Sequence, residues 1–365
     1  MVNRLVFQNL LHRPLRTLLS VLAVAVEITL ILTVVGLSQG MLEDSARRTR
    51  GIGADILVRP STTQTALGMS SAELNEKLAG KFATMPGVQV ATGTTVYMQM
   101  TSLQSITGIR LEAFSQMSGG LKYLSGGPFQ QPYDAIIDEI WARQNNLAVG
   151  QNMQLWNRTF RVAGIVEPGK LSRVFIPITT MQELLGWQGK LSQIYLKLDR
   201  AGDTPEVIAR LKQMLPSYNI YSMEEFTSLF SINNIAGLST FIRVIIGLAV
   251  MIGFLVVMLS MYTAILERTR EIGILKSLGA SPLYIIGIVI RETLLLAVAG
   301  VALGIGISFG AKAVIERYFP LLSVSLHREW WLWAGLIAAG GAILGALYPA
   351  VRAARQDPIA ALAYE

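Results

Sequence analysis

The sequence has no cysteine, only two histidines (His12 and His327), and few charges: 15% of its 365 residues are Asp, Glu, Lys or Arg. Without cysteine, disulfide scaffolds, iron–sulfur clusters and Cys-based zinc sites are excluded. Soluble domains carry roughly 25% charged residues, so the charge here is too sparse for a wholly water-facing surface. That disfavours a cytosolic enzyme and intrinsic disorder alike. Apolar residues are what the chain has in excess, at 52% of the sequence, with a mean hydropathy of +0.47. Lys and Arg outnumber Asp and Glu by 31 to 24, a net charge of +7. In a chain this apolar, the basic balance points to lipid-facing loops rather than to nucleic acid.

Crossing a bilayer takes about 20 apolar residues, and four stretches are long enough. The first, Leu15 to Leu37, holds one charge, Glu27. The second, Val244 to Leu266, holds none. The third has an uncharged core from Thr293 to Ala311, with helical sequence starting near Leu283 and including Arg291 and Glu292. The fourth, Trp330 to Ala350, opens on Trp330, Trp331 and Trp333, an interfacial anchor. The first stretch is too long for the apolar region of a signal peptide and lacks a small-residue cleavage pattern, so it reads as an uncleaved anchor. Ahead of it, Val2, Leu5, Val6, Leu10 and Leu11 share one helical face before Pro14, which predicts an amphipathic helix along the membrane surface. Arginines flank the first span on both sides (Arg4, Arg13, Arg16; Arg47, Arg48, Arg50), so charge alone leaves orientation open.

The expected layout is therefore an amphipathic helix at 1–14, spans at 15–40, 241–266, 282–311 and 330–350, and a large domain at 41–240. A short amphipathic helix at 267–281, a loop at 312–329 and a tail at 351–365 complete it. Within the large domain, 54–59 reads as strand, 71–84 as helix and 88–101 as strand; 192–198, 204–215 and 218–222 repeat that order. Two such β-α-β pieces can combine into a ferredoxin-like sheet with helices on one face. A β-rich insertion at about 102–190 separates them. The expected fold class is an α-helical bundle of four transmembrane helices (1+3) with a large α+β domain outside the membrane.

The segment Glu267 to Pro282, ERTREIGILKSLGASP, is the most informative. Charges begin it, Ile272, Ile274, Leu275 and Leu278 give it an apolar side, Gly279 suits a helix C′ position, and Ser281 and Pro282 suit the N-cap and N1 of the next helix. For an arbitrary membrane protein, a solvated connector would explain as much. This string, however, closely resembles the E-R-x-x-E-I-G-x-x-x-x-x-G-A coupling helix of FtsX-like permeases, the MacB-type class of ABC transporter. The resemblance extends to LRTLLSVLAV in the first span, to DAIIDEIWARQNNLAVGQNMQL and FRVAGIVEPG in the large domain, and to the tail YPAVRAARQDPIAALAYE.

The resemblance implies both termini and the coupling helix on the cytoplasmic side, the large domain outside (periplasmic in diderm bacteria), and a bacterial inner-membrane location. It implies docking of a separate ATPase dimer through Glu267, Arg268, Glu271, Ile272, Gly273, Leu275, Lys276 and Gly279. ATP and magnesium would be bound by that partner. This sequence has no G-x-x-x-x-G-K-[ST] phosphate loop; GWQGKLS at 186–192 lacks its spacing and its hydroxyl after Lys190. No cofactor is expected in this chain, and no catalytic set is visible. A second permease subunit completing a homodimer, a periplasmic adaptor, an outer-membrane channel and membrane lipids are the other partners implied. The function implied is export or extraction of an amphiphile or peptide by mechanotransmission. The alternative is a signalling module that activates a partner such as a cell-wall hydrolase without moving cargo.

Other residues carry plainer expectations. Glu27 is expected at the bundle or dimer seam near Thr29, Thr33, Ser260 or Thr263, held by an interhelical hydrogen bond or serving in gating. Gly300, Gly304, Gly306, Gly310, Gly341 and Gly345 are expected to pack the third and fourth spans together. Arg291 and Glu292 are expected as a snorkelling pair. Asp134, Asp138, Glu139 and Glu167 are expected at loop and strand edges, with Asp138 and Glu139 opening a helix. Met98, Met100 and Met117 are expected to fill core.

Overall fold

The computed structural model describes residues 14–61, 72–99, 104–235 and 237–357. Residues 1–13 of the amphipathic helix expected at 1–14, with His12, the end of the tail, and Met100 lie outside these residues. The elements in chain order are α1 (Pro14–Arg50), β1 (Ile56–Pro60), β2 (Leu74–Asn75), α2 (Lys77–Ala83), β3 (Val88–Gln99), β4 (Gln104–Ile109), α3 (Leu111–Ser118), β5 (Tyr123–Gly126) and β6 (Asp134–Asp138). Then follow α4 (Glu139–Asn145), β7 (Asn152–Leu155), β8 (Arg158–Val166), β9 (Val174–Pro177), α5 (Ile178–Leu185), β10 (Lys190–Leu191), β11 (Gln193–Leu198), α6 (Thr204–Met214), β12 (Tyr218–Ser222) and α7 (Met223–Ser228). The chain ends with α8 (Leu238–Glu267), α9 (Thr269–Ser277), α10 (Pro282–Tyr318) and α11 (Arg328–Arg355).

The chain divides into two compact units. One holds residues 14–38, 237–315 and 324–357; the other holds the described residues of 39–235 and 316–323. Four helices, α1, α8, α10 and α11, are long and apolar enough to cross a membrane. Helix is the expected answer for such sequences, because hydrocarbon offers no partner for an open backbone amide. All four run beyond the expected spans. α1 has 37 residues, a rod of about 55 Å at 1.5 Å per residue, against roughly 30 Å of hydrocarbon. α10 continues to Tyr318 and α11 starts at Arg328, so the expected 312–329 loop shortens to 319–327. α11 also passes through Pro349 to Arg355 rather than ending at 350.

Small residues set the packing of the membrane unit. The buried stripe of α11 is Ala334, Ala338, Gly341, Ala342, Gly345, Ala346 and Ala350, which brings the backbone of α8 close. A Cβ at Gly345 would sit 2.7 Å from the carbonyl of Phe254. Gly300 and Gly304 of α10 instead face α1: a Cβ at Gly304 would lie 2.7 Å from both the Ala25 carbonyl and Ile28 Cβ. Gly306 and Gly310 face open space. The expectation that all six glycines join the third and fourth spans is thus corrected. Two seat α1, two seat α8, and two make no packing contact, because spacing reveals a small-residue face but not its partner.

In the second unit, β12-β1-β11-β3 form an antiparallel sheet from the two β-α-β pieces. In chain order this is the 4-1-3-2 arrangement of a ferredoxin-like fold. Phe82 of α2 and Val207 and Leu211 of α6 pack with Ile56, Val58, Ile194, Leu196 and Ile220 on one face. Leu57 and Tyr195 alternate to the other face, where Phe114, Met117, Met223 and Phe226 cover them. The expected helix at 71–84 is shorter: β2 occupies 74–75 and α2 begins at Lys77. β3 pairs β11 with its first half and β4 with its second, so the same sheet runs on through β4-β9-β6-β8-β5. The insertion is therefore a continuation of the sheet, and it carries α3, α4 and α5 besides its strands.

Candidate coupling site

α8 ends at Glu267, and Arg268 leaves helical geometry before α9 begins. The close of α9 is fixed by its sequence. Gly279 takes φ +93°, a region open chiefly to glycine. The amide of Ala280 then donates to the Leu275 carbonyl at 2.9 Å and that of Gly279 to Lys276 at 3.0 Å, the two bonds of a Schellman motif. Ser281 Oγ accepts from the Tyr284 amide at 3.2 Å, with Pro282 in the first turn of α10.

The charges around this helix bind the chain to itself. Glu292, 2% exposed on α10, receives both guanidinium nitrogens of Arg268 at 3.0 and 3.3 Å and one of Arg16 at 3.3 Å. Arg16 also donates to Glu267 at 3.3 Å. One carboxylate thus joins the foot of α1, the α8–α9 break and α10. The expected Arg291–Glu292 pair is corrected: Arg291 is exposed, and Glu292 turns inward to two arginines remote in sequence. Lys276 Nζ donates to the carbonyls of Ala354 (3.0 Å) and Gln356, closing the end of α11. Arg352 donates to the Tyr262 hydroxyl at 2.5 Å and stacks on its ring.

These contacts sort the expected docking residues. Glu267, Arg268 and Lys276 hold internal partners, and Ile272 and Gly273 are buried against the chain's own helices. Glu271 and Gly279 are exposed and Leu275 is half-buried. The outward face consists of Arg270, Glu271, Ile274 and Leu278, with Leu283 beside it. Leu278 and Leu283 are each 80% exposed. Arg16, Glu292 and Leu283 were not legible as site residues. The available signal was a lone carboxylate inside an apolar helix, which demands a cation somewhere.

Glu27 is 5% exposed, and its carboxylate lies against Gly253 of α8, where a Cβ would meet it. Three of its four expected partners are engaged elsewhere: Thr29 donates to the Ala25 and Gly304 carbonyls, Thr263 to the Ser260 carbonyl, and Ser260 pairs with Ser20. Glu27 Oε1 has no hydrogen-bond partner, so the expected interhelical bond is corrected to a glycine-seated contact.

In the second unit the four expected carboxylates each pair with a cation of the chain. Asp134, expected at an edge, is wholly buried; Arg161 grips it at 3.0 and 3.1 Å and the amides of Gln130 and Gln131 donate at 2.7 and 2.9 Å. Burial alone would push its carboxyl up, but these four bonds hold it below the usual range. Asp138 caps α4 through the Trp141 amide at 2.7 Å and pairs with Arg173 at 3.0 Å; burial still holds its carboxyl above the usual range. Glu139 follows it in the first turn, paired with Arg143, and Glu167 pairs with Lys122. Met117 is buried in the core and Met98 is half-buried. A cavity of about 730 Å³ opens beside α2, its rim crossed by an Arg110–Glu76 ion pair. Among the described residues no three His, Asp or Glu stand close enough to hold a metal ion.

Comparison with known proteins agrees with this architecture. The model of the MacB-like periplasmic core domain matches residues 17–214, and that of the FtsX-like permease C-terminal region matches 243–358. The chain is 26% identical over 389 residues to the macrolide export ATP-binding/permease protein MacB of Escherichia coli, covering 97% of this chain and 59% of that protein. It therefore spans about three fifths of the length of that relative. It is 24% identical over 399 residues to the ABC transporter permease YknZ of Bacillus subtilis, covering 99% and 98% of the two chains. Among solved structures, the periplasmic region of MacB from Actinobacillus actinomycetemcomitans aligns with 52% of this chain and 97% of its own, at 17% identity and a TM-score of 0.38. The periplasmic-core match alone covers more than half of the sequence, and the chain belongs to the FtsX-like, MacB-type family of ABC transporter permeases.

Proposed function

We propose that this chain is the transmembrane subunit through which a separate ABC-type ATPase dimer drives movement of the outer domain, for export or extraction of an amphiphile or peptide. In this reading α9 is the cytoplasmic docking helix, both termini are cytoplasmic, and a second identical subunit completes the assembly in the bacterial plasma membrane. ATP and magnesium belong to the motor. The export reading draws on the macrolide exporters among the relatives and on an outer unit built of a ferredoxin-like piece plus an insertion; an adaptor and an outer-membrane channel fit it.

The observation that carries the proposal is the two-sided character of α9. Its inner face is fixed by Ile272, Gly273, Lys276 and the Glu292 cluster, while its outer face leaves Ile274 and Leu278 in solvent. Burying one such side chain stabilises an interface by about 1.5–3 kcal/mol, and roughly 1.4 kcal/mol is tenfold in affinity. The double variant Ile274→Asp/Leu278→Asp is expected to lose the cognate ATPase from pull-downs of detergent-purified protein, while its own melting temperature stays near that of the parent. Retention of the ATPase at parental affinity would refute the proposal.

A further inference from the structure

Docking explains how force enters the chain but not how it reaches the outer unit. α1 is one helix from Pro14 to Arg50, and its last turns, from residue 39, belong to the outer unit. Two kinds of contact hold those turns to the insertion. The first is main-chain. The Arg48 carbonyl, one of the acceptors a helix end leaves open, takes the Leu171 amide at 2.6 Å. A Cβ at Gly51 would meet the Gly169 carbonyl. Loop 167–173 therefore wraps the end of the helix closely.

The second contact is ionic and lies one turn back on the same face. Arg173 sends one guanidinium nitrogen to Asp44 of α1 at 2.8 Å and the other to Asp138 at 3.0 Å. Arg48 also donates to Asp44, at 3.0 Å, so two cations and two carboxylates balance there. The side chain of Asp138 is 1% exposed and that of Arg173 10%. Arg173 stands directly before β9, and Asp138 closes β6 and caps α4; β6 and β9 are paired neighbours in the insertion sheet. The Asp138 amide also donates to the Arg173 carbonyl at 2.8 Å. Two points along one helix face are thus tied to the middle of the insertion.

We propose that Arg173 is the positioning residue that converts displacement of α1 into displacement of the insertion, its planar guanidinium bridging Asp44 on the helix to Asp138 in the sheet. This rests on the motor-driven reading above. A guanidinium presents two donor directions at fixed geometry, which an ammonium does not. The main-chain cap holds the loop to the helix end; the Arg173 bridge resists its rotation.

The test uses the full chain assembled with its cognate ATPase in lipid nanodiscs, with amide hydrogen exchange followed in the absence of nucleotide and with ATP plus vanadate. In the parent, nucleotide is expected to change exchange both in peptides covering 39–50 and in those covering β6, α4 and β9. Asp44→Ala removes the acceptor on the helix and leaves Arg173 paired with Asp138, and so preserves the insertion; Arg173→Lys keeps the charge but not the fork. Both are expected to keep the response in 39–50 and lose it in the insertion, with Asp44→Glu restoring it. If Asp44→Ala and Arg173→Lys both pass the full response to the insertion, the proposal is overturned. A parent complex that assembles but shows no nucleotide response even in 39–50 overturns the motor reading and this one with it.

Discussion

Glu292 shows how much one buried charge can organise. Two arginines from other parts of the chain converge on it, and its carboxylate is shared by Arg16 and Arg268. Removing one member of a buried ion cluster typically costs about 3–5 kcal/mol, because the remaining charges stay desolvated. Glu292→Ala is expected to lower the melting temperature of the detergent-purified protein clearly, and Glu292→Gln, which retains an acceptor, less so. Equal stability of the Ala variant and the parent would show that the arginines reach water instead. The contrast between Asp134 and Asp138 belongs at the same scale. Both are buried carboxylates beside an arginine, yet two backbone amides and a bidentate guanidinium hold Asp134 below the usual range, while burial dominates at Asp138. Sequence marked Asp138 as a helix start because its neighbours read as helix. It could not mark Asp134 as buried, since Arg161 is supplied by a strand 27 residues away.

Among elements, the pairing of the membrane helices depends on which glycine meets which backbone. A side chain at Gly304 would push against Ala25 and Ile28 of α1, whereas one at Gly306 meets nothing within 4 Å. Gly304→Val is expected to destabilise the membrane unit by about 1–3 kcal/mol, the usual cost of overpacking, and Gly306→Val to leave stability near the parent. Thermal unfolding of the two variants in the same detergent measures the difference, and similar melting points would contradict the pairing of α10 with α1. The sequence displayed both glycines as one repeated pattern. Their separation required the rotation of α10, which no local spacing encodes. The short helix α9 is the opposite case. Its C-terminal end and the start of α10 were legible from Gly279, Ser281 and Pro282 alone, because caps are made by residues adjacent in sequence.

For the whole molecule, orientation is the property on which the functional reading turns. The absence of cysteine makes the test clean, since any introduced thiol is unique. Ser277 on α9 and Ser217 before β12 are both exposed. In intact cells, Ser217→Cys is expected to react with a membrane-impermeant maleimide and Ser277→Cys to react only after the membrane is opened. The reverse pattern would invert the topology and remove α9 from the cytoplasm.

The sequence by itself determined the apolar segments long enough to span a bilayer, the strand and helix order of the two β-α-β pieces, and the turn from α9 into α10. Each depends on neighbours a few residues apart, through hydrogen-bond closure, side-chain period or bulk hydropathy. Tertiary structure alone decided which face of α9 is free, which helices the glycines seat, that Lys276 closes α11 rather than facing outward, and that Arg16, Arg268 and Glu292 meet. Those outcomes depend on charges and surfaces separated by up to 276 residues finding one another when the helices pack. A desolvated charge announces in the sequence that it needs a counterion; only packing chooses the one it gets.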